Sequence, residues 1–270
     1  ARAVGLHFGR IGGGLAGLAA ARRLVAADTE AVVLEARGRV GGRTEGGSTE
    51  DGTPVELGGQ WIGPTQNRIA ALVAELGLET FDTFNEGEHV VQLAGRRSRL
   101  ASHRGAIPKL SPFVLADLFG GLPRFDRLAA RIPLDEPWRA RGARTLDGQT
   151  FETWIRRNLR TPAGRAYFRI ATEAVFSAEA TDISTLHALF YAHSGTDLET
   201  LLSVDRGAQQ TRIVGGSVLI SEAMARSLGD RVRLDAPVRR IEQDRSSVRV
   251  ATRDGATVSA RYAIVTVPSS

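Results

Sequence analysis

Apolar residues in the first 35 positions follow two different spacings, which together predict a strand, a helix and a second strand. Beyond Gly14, apolar side chains recur every three or four residues, as on one face of a helix (Leu15, Leu18, Ala19, Leu24, Val25). The uninterrupted apolar run 31–34 is typical of a strand that is buried on both faces. Glycine occupies positions 12, 14 and 17, where the first strand would turn into the helix. The pattern therefore predicts a βαβ unit with a glycine-rich first turn.

Helical spacing of apolar residues returns in five later segments, 67–76, 150–159, 163–176, 183–193 and 217–228. Gly77 follows the first of these in a C-cap position, and Asp182 precedes the fourth as its predicted N-cap. The stretch 108–148 is rich in proline and arginine and has weak periodicity, so we expect loops and short helices there.

Short apolar or alternating segments predict the remaining strands. We expect a hairpin over 90–100 around Ala94-Gly95, and further strands over 232–234, 238–243, 248–252 and 257–262. The apolar run 263–267 is typical of the buried centre of a parallel sheet. The first strand differs, because Gly9 and Arg10 interrupt its apolar residues, and we predict that it is disrupted or locally rearranged.

The glycines of the first turn have the spacing of a dinucleotide-binding motif, Gly12-x-Gly14-x-x-Gly17. The first glycine permits a tight turn, the second lets a pyrophosphate approach the backbone, and the third lets the helix pack closely on the strand. The N–H groups at the helix start, including that of Ala16, would face the phosphates. Glu35 ends the second strand, where its carboxylate can accept hydrogen bonds from both hydroxyls of a ribose. For the glycine triplet by itself, a glycine-rich turn before an ordinary helix is the alternative.

A second glycine motif, Arg39-x-Gly41-Gly42-Arg43, follows Glu35 directly. Its paired glycines would let a loop press against the cofactor, and Arg43 is placed to pair with a phosphate. The block 35–44 as a whole resembles the double-glycine signature of FAD-binding amine oxidases and their relatives, among them desaturases and L-amino-acid oxidases.

The segment 56–66 (Glu-Leu-Gly-Gly-Gln-Trp-Ile-Gly-Pro-Thr-Gln) is similar to the one that runs beside the flavin ring in flavin monoamine and polyamine oxidases. Four later blocks, 207–210, 214–217, 229–232 and 263–268, resemble the family in the same order. The resemblance implies an α/β fold in which a Rossmann-like FAD-binding domain (1–81 and 212–270) carries an inserted, mainly helical substrate domain (82–211).

The resemblance also implies the cofactor and the residues that hold it. We expect non-covalent FAD, bound by the two glycine motifs, the segment after them and a residue of a late strand (Gly12, Gly14, Ala16, Gly17, Glu35, Ala36, Arg37, Arg43, Gly58, Gly59, Gln60, Trp61, Val238). The implied substrate is a primary amine or polyamine, which the flavin would oxidise to an imine. Hydrolysis of the imine would give aldehyde and ammonia, and dioxygen would reoxidise the flavin and be reduced to hydrogen peroxide. Gln209 would orient the amine, and Ala174, Phe176 and Leu201 would line the substrate cavity. No metal is implied.

The catalytic lysine and the aromatic pair of the family have no counterpart in these residues, and the single lysine, Lys109, lies in the wrong region. We therefore expect the N-terminal portion of an amine oxidase, without a complete catalytic set and inactive alone. Two alternatives stay open. One is a non-catalytic flavin- or nucleotide-binding module, and the other is a different double-glycine flavoprotein, such as an L-amino-acid oxidase or a desaturase. A homodimer is also left open.

Composition limits the classes of binding partner and the cellular compartment that we expect for this protein. The net charge of +5 suggests the hypothesis of nucleic-acid binding. The arginines are dispersed among acidic residues, however, so we predict no nucleic-acid partner. The absence of cysteine excludes disulfides, thiolate metal sites and a cysteinyl-flavin bond in these residues. No segment is long and apolar enough to span a bilayer, and glycine spacing explains the run 11–21 better than a signal peptide does. We expect a cytoplasmic protein.

Overall fold

The computed structural model describes residues 6–93, 95–101 and 110–268, and for some residues in its strands it describes the backbone alone. The fold is mixed α/β and divides into two compact units. The sheet unit takes in the chain up to Trp61, Arg68–Phe81 and the chain from Arg212 onward, and the helical unit takes in Ile62–Asn67 and Asp82–Thr211. The sequence analysis placed residues 62–67 in the FAD-binding domain. In the structure they belong to the helical unit, where Ile62 forms a β-bridge with Thr211.

Most strands are short, and half of them form one sheet. The strands are β1 (Leu6–Ile11), β2 (Ala31–Leu34), β3 (Gly46–Ser48), β4 (Pro54–Glu56), β5 (Thr80–Asp82), β6 (Glu88–Leu93), β7 (Arg96–Ala101), β8 (Thr211–Ile213), β9 (Val232–Arg233), β10 (Val238–Gln243), β11 (Val248–Thr252) and β12 (Thr257–Val265). The large sheet has the order β10-β11-β12-β1-β2-β9. Its members β12, β1, β2 and β9 run parallel, and β10 to β12 form an antiparallel meander. The predicted hairpin is the pair β6–β7, whose Ala94 lies outside the described residues.

The helices have the following bounds: α1 (Leu15–Ala26), α2 (Asn67–Glu75), α3 (Pro112–Ala129), α4 (Ala143–Asp147), α5 (Phe151–Asn158), α6 (Pro162–Phe176), α7 (Thr185–Ser194), α8 (Leu198–Leu202) and α9 (Val218–Leu228). In the sheet unit, α1 connects β1 to β2 and packs against α9. Of the helices in the described part of the chain, none has the length and apolar character needed to cross a membrane.

The first strand is regular, and the prediction that it is disrupted was wrong. Gly9 pairs through its backbone with Ala263 of β12 on one side and Val32 of β2 on the other, and Arg10 follows in the same register. A parallel ladder uses backbone groups alone, so neither residue type interrupts it. A Cβ at Gly9 would meet its nearest neighbour at an ordinary 3.8 Å. The side chain of Arg10 lies outside the described residues.

The two strands predicted over 257–267 are one continuous strand, β12. Its first half pairs antiparallel with β11 and its second half pairs parallel with β1, where Val265 lies opposite Ile11. The side chain of Val265 is 53% exposed, so the apolar run is not buried throughout as predicted. Ile11 and Val265 lie at the carboxyl ends of their strands, the edge of a parallel sheet where loops and ligands meet.

The helical unit has an aromatic core, and one long helix there was not predicted. Phe125 lies with its ring centroid 5.3 Å from Phe151, 5.3 Å from Trp154 and 5.9 Å from Phe168. Phe125 belongs to α3, which occupies part of the stretch predicted to contain loops and short helices. Its Gly121 and internal Pro123 are poor helix formers, but tertiary packing overrides that preference.

The N-cap of α7 also differs from the prediction. The cap is Ser184, whose Oγ accepts a hydrogen bond of 3.1 Å from the backbone N–H of His187. Asp182 instead belongs to the preceding turn, where its N–H donates to the carbonyl of Glu179 at 2.9 Å.

The ion-pair cluster around Glu152 makes stability sensitive to acid. The Glu152 side chain is 10% exposed and accepts hydrogen bonds from Arg169 (2.6 and 2.9 Å) and from Arg156 (2.6 Å). These bonds, those of Arg169 foremost, lower the pKa of Glu152 to about 2. A carboxyl whose pKa is lower in the folded than in the unfolded state stabilises at neutral pH, and this contribution disappears as pH falls from about 4.5 towards 2.

We expect Glu152→Gln to reduce the free energy of unfolding at pH 7 by about 2 kcal/mol, since exposed Arg156 is partly screened by solvent. The difference between variant and wild type should shrink below pH 4.5. Urea unfolding between pH 7 and pH 3 measures both quantities. Glu136→Gln, which removes an exposed ion pair with Arg139, is the control and should show neither effect. A constant difference across this pH range would contradict the role of Glu152.

Candidate functional site

The turn between β1 and α1 is held by backbone groups. Gly12 has a φ of +113°, a conformation that favours glycine, and its N–H donates to the carbonyl of Leu34 at 2.9 Å. Gly14 is the N-cap of α1 and offers no side-chain hydrogen bond to the first turn of the helix.

Gly17 lies where no side chain fits. A Cβ at this position would come within 1.9 Å of the carbonyl oxygen of Gly12. A Cβ at Gly14, in contrast, would meet just the carbonyl of Gly41, at 4.0 Å. The third glycine is therefore required by close packing of helix on turn, whereas the second borders open space.

Glu35 is a buried carboxylate that organises the turn. Its Oε2 accepts a hydrogen bond of 2.6 Å from the N–H of Gly13, and its Oε1 accepts one of 3.0 Å from the N–H of Arg37. The residue is 8% exposed. Because each carboxylate oxygen can accept more than one hydrogen bond, both oxygens retain capacity for hydroxyl donors.

The double-glycine loop is fastened to the same turn. The N–H of Gly41 donates to the carbonyl of Gly13 at 3.0 Å. Arg39 fixes the loop internally, since its guanidinium donates to the carbonyls of Val40 (3.3 Å) and Gly42 (3.2 Å) and pairs with Glu45 at 2.5 Å. The Arg39 side chain therefore stabilises the loop by bonding to backbone carbonyls of the loop, a role that was not predicted from the sequence.

The segment after β4 packs on the double-glycine loop. The N–H of Gly59 donates to the carbonyl of Arg43 at 3.0 Å, and a Cβ at Gly58 would lie 2.1 Å from that same oxygen. Glu56 accepts hydrogen bonds from the N–H (2.9 Å) and Oγ (3.0 Å) of Ser217, and this Oγ also lies 2.6 Å from the carbonyl oxygen of Gly59. Sequence reasoning missed this link, because residues 161 positions apart leave no local pattern.

The structure brings most predicted cofactor residues together in the sheet unit. The glycines of both motifs, Glu35, Gly58 and Gly59 are linked by the contacts above. Four further predicted residues have exposed positions near them in the chain, Ala16, Ala36, Arg37 and Arg43. Gln60 and Val238 are half-buried, and Trp61 is 41% exposed. The stretch that leads into Val238 pairs with the end of β2, where the N–H of Ala236 donates to the carbonyl of Glu35 at 2.8 Å.

The predicted substrate residues lie in the helical unit in different surroundings. Leu201 is buried in the core against Gly195, and Ala174 is exposed on α6. Phe176 contacts the rings of Tyr191 and His187, with centroids 4.9 and 5.6 Å away. Gln209 is half-buried and its N–H donates to the carbonyl of Ser203 at 3.2 Å. Their roles toward a substrate stay predictions, and Lys109 lies outside the described residues.

Comparison with known proteins identifies the family. The profile of the flavin containing amine oxidoreductases matches residues 15–270. The chain belongs to the flavin-containing amine oxidase family. It is 42% identical over 258 residues to AofH of Mycobacterium tuberculosis, named among the flavin-containing monoamine oxidases, and 36% identical over 259 residues to the flavin-containing amine oxidase of Oncorhynchus mykiss. These alignments cover 96% of the chain and 56% and 49% of the relatives, so the chain spans about half the length of the curated relatives it matches.

Solved structures of the family have the same fold as this chain. Putrescine oxidase bound to putrescine superposes with a TM-score of 0.89 at 32% identity, and cyclohexylamine oxidase from Brevibacterium oxydans IH-35A with 0.91 at 28%. Each comparison covers 97% of this chain and 58% of the other. The described α/β fold therefore corresponds to the matched part of these oxidases.

The contact at Gly17 gives a direct test of the turn. We expect Gly17→Ala to destabilise the protein by about 1–3 kcal/mol, since the new methyl group must displace the Gly12 carbonyl. Gly120→Ala is the matched control, because a Cβ there meets nothing within 4 Å and alanine favours the helix. Thermal unfolding of both variants checks this, and equal melting temperatures would contradict the packing role of Gly17.

Proposed function

We propose that this chain binds FAD non-covalently through its sheet unit and is the cofactor-binding portion of an enzyme for the oxidative deamination of primary amines or polyamines, inactive by itself. The observation that carries the proposal is the junction of β1, α1 and β2, where a helix whose N-cap, Gly14, has no side chain starts beside the buried carboxylate of Glu35. Family membership makes flavin the expected dinucleotide.

The residues of the junction fit the AMP half and the pyrophosphate of FAD. The open space at Gly14 and the helix start of α1 suit the phosphates, which the positive end of a helix dipole attracts. Glu35 would accept the ribose hydroxyls with the capacity left by Gly13 and Arg37. The guanidinium of Arg43 is exposed and would be available to pair with a phosphate by a charge-assisted hydrogen bond.

Bound FAD supplies the hydride acceptor for the carbon that bears the amine, and dioxygen reoxidises it to give hydrogen peroxide. Hydrolysis of the resulting imine then gives aldehyde and ammonia. The contribution of this chain is binding and orientation. The sheet unit would hold the cofactor, and the Gln209 amide would hydrogen-bond a neutral amine without giving it a charge.

The substrate class rests on the relatives. Those named above carry the names of a monoamine oxidase, an amine oxidase, putrescine oxidase and cyclohexylamine oxidase, and each of these names refers to the oxidation of an amine. This supports an amine over an amino acid or a polyene for the present chain. The particular amine is left to experiment.

We expect Glu35→Ala to weaken binding of both FAD and ADP by about 1–3 kcal/mol, the range for loss of charged hydrogen bonds. Glu35→Gln should have a smaller effect, because one acceptor oxygen remains. Glu30→Ala, at an exposed position just before β2, is the control. Calorimetric titration of the three variants measures the affinities, and wild-type affinity in Glu35→Ala would remove this residue from the site.

A peroxide-coupled assay tests the reaction itself. We expect no amine-dependent hydrogen peroxide from residues 1–270 with FAD added. Productive hydride transfer needs the amine held in a closed cavity, where misplacement of about 1 Å is costly, and the catalytic set predicted for these residues is incomplete. The longest polypeptide that the gene encodes should oxidise putrescine or a monoamine. Oxidation of L-amino acids by it instead would favour the amino-acid oxidase alternative. Robust turnover by residues 1–270 would show that they contain a complete catalytic set.

A further inference from the structure

Thr266 follows β12 directly and bonds to the end of β1. Its backbone N–H donates to the carbonyl of Ile11 at 2.9 Å, in continuation of the parallel ladder. Its hydroxyl lies 2.9 Å from that same carbonyl and 3.3 Å from the carbonyl of Gly12. A single side chain therefore reaches both carbonyl groups at the start of the glycine turn.

The hydroxyl also occupies the space beside the two sterically restricted glycines. A Cβ at Gly12 would lie 2.8 Å from Thr266 Oγ1, and a Cβ at Gly17 would lie 2.9 Å from it. The hydroxyl thus fits between the turn and the start of α1, in a space that exists because both positions are glycine.

The turn is held on its other side by β2. There the Gly12 N–H donates to the carbonyl of Leu34, and the Gly13 N–H donates to Glu35. On the β12 side, Thr266 supplies side-chain hydrogen bonds to the turn within the described part of the chain. Without the hydroxyl, Thr266 would hold the start of the turn through its backbone N–H alone. Because Gly12 has unusual backbone freedom, the turn would then sample more conformations.

We propose that Thr266 is a positioning residue for the dinucleotide phosphates. Its hydroxyl holds the carbonyls of Ile11 and Gly12 and thereby fixes the direction in which the first N–H groups of α1 point. This inference rests on the proposed function, since it assumes that the phosphates of FAD bind at that helix start. Phosphates contact backbone N–H groups with strict geometry, so a small shift of the turn reduces their binding.

The test compares Thr266→Ala with Thr266→Ser, which differ from each other by the hydroxyl group. We expect Thr266→Ala to bind FAD and ADP roughly 3- to 10-fold more weakly than wild type, the change for one ordinary hydrogen bond. Thr266→Ser should restore affinity to within about twofold of wild type. Equal losses for both nucleotides are expected, because they share the pyrophosphate.

The control is Thr172→Ala, which removes a buried hydroxyl that donates to the carbonyl of Phe168 at 2.7 Å in the helical unit. It should lower the melting temperature without changing nucleotide affinity. Amide hydrogen exchange without nucleotide adds a second readout, in which Thr266→Ala should accelerate exchange at Gly12 and Gly13 relative to Val33 in β2.

The results of these measurements distinguish the role of Thr266 from the proposed function. Wild-type affinity in Thr266→Ala, or equal weakening in the alanine and serine variants, would overturn the role of the hydroxyl while the proposed function stands. A wild-type chain that binds neither FAD nor ADP would overturn the proposed function, and exchange at Gly12 and Gly13 would then decide whether Thr266 orders the turn. Loss of affinity in Thr266→Ala, with rescue by serine and no effect of Thr172→Ala, supports the proposal.

Discussion

The described site depends on one steric constraint, the close approach of α1 to the carbonyl of Gly12. Gly17 allows it, since any Cβ there would lie 1.9 Å from that oxygen. The approach keeps the turn compact enough for Glu35 to bond to Gly13 from one side and for Gly41 to pair with the Gly13 carbonyl. The double-glycine loop and the segment at Gly59 are then attached in sequence, each through a backbone hydrogen bond to the previous one.

This constraint explains why so much of the sheet unit could be predicted. A position that admits no side chain must be glycine, so its spacing is visible in the sequence. The apolar run of β2 and the helical spacing of α1 are local patterns of the same kind. One exception was β1, where Gly9 and Arg10 suggested disruption, although a ladder of backbone bonds to β12 and β2 tolerates both.

Non-local contacts account for what could not be predicted. The helix α3 contains Gly120, Gly121 and Pro123, and its stability comes from packing of Phe125 against rings that follow later in the chain. The bonds between Glu56 and Ser217 likewise join distant residues. The substrate residues illustrate the same limit, since a side chain that lines a cavity and one that packs helices can have the same identity and spacing. Leu201 is an instance, because it lies in the core and its role toward a substrate stays a prediction.

The described site is built mainly from backbone groups, and this bears on the role of the positive charge. The chain has 35 basic residues, but the positions of the site are set by N–H and carbonyl groups of the glycine turn, and Arg43 is exposed to solvent. Exposed charges are screened over about 10 Å and add little to specific affinity. In the proposed function Glu35 therefore matters more than the arginines around it, since it is buried, bonds to two backbone amides and would keep acceptor capacity for a ribose. A residue with both tasks couples folding to binding, so the nucleotide would stabilise the same turn that binds it.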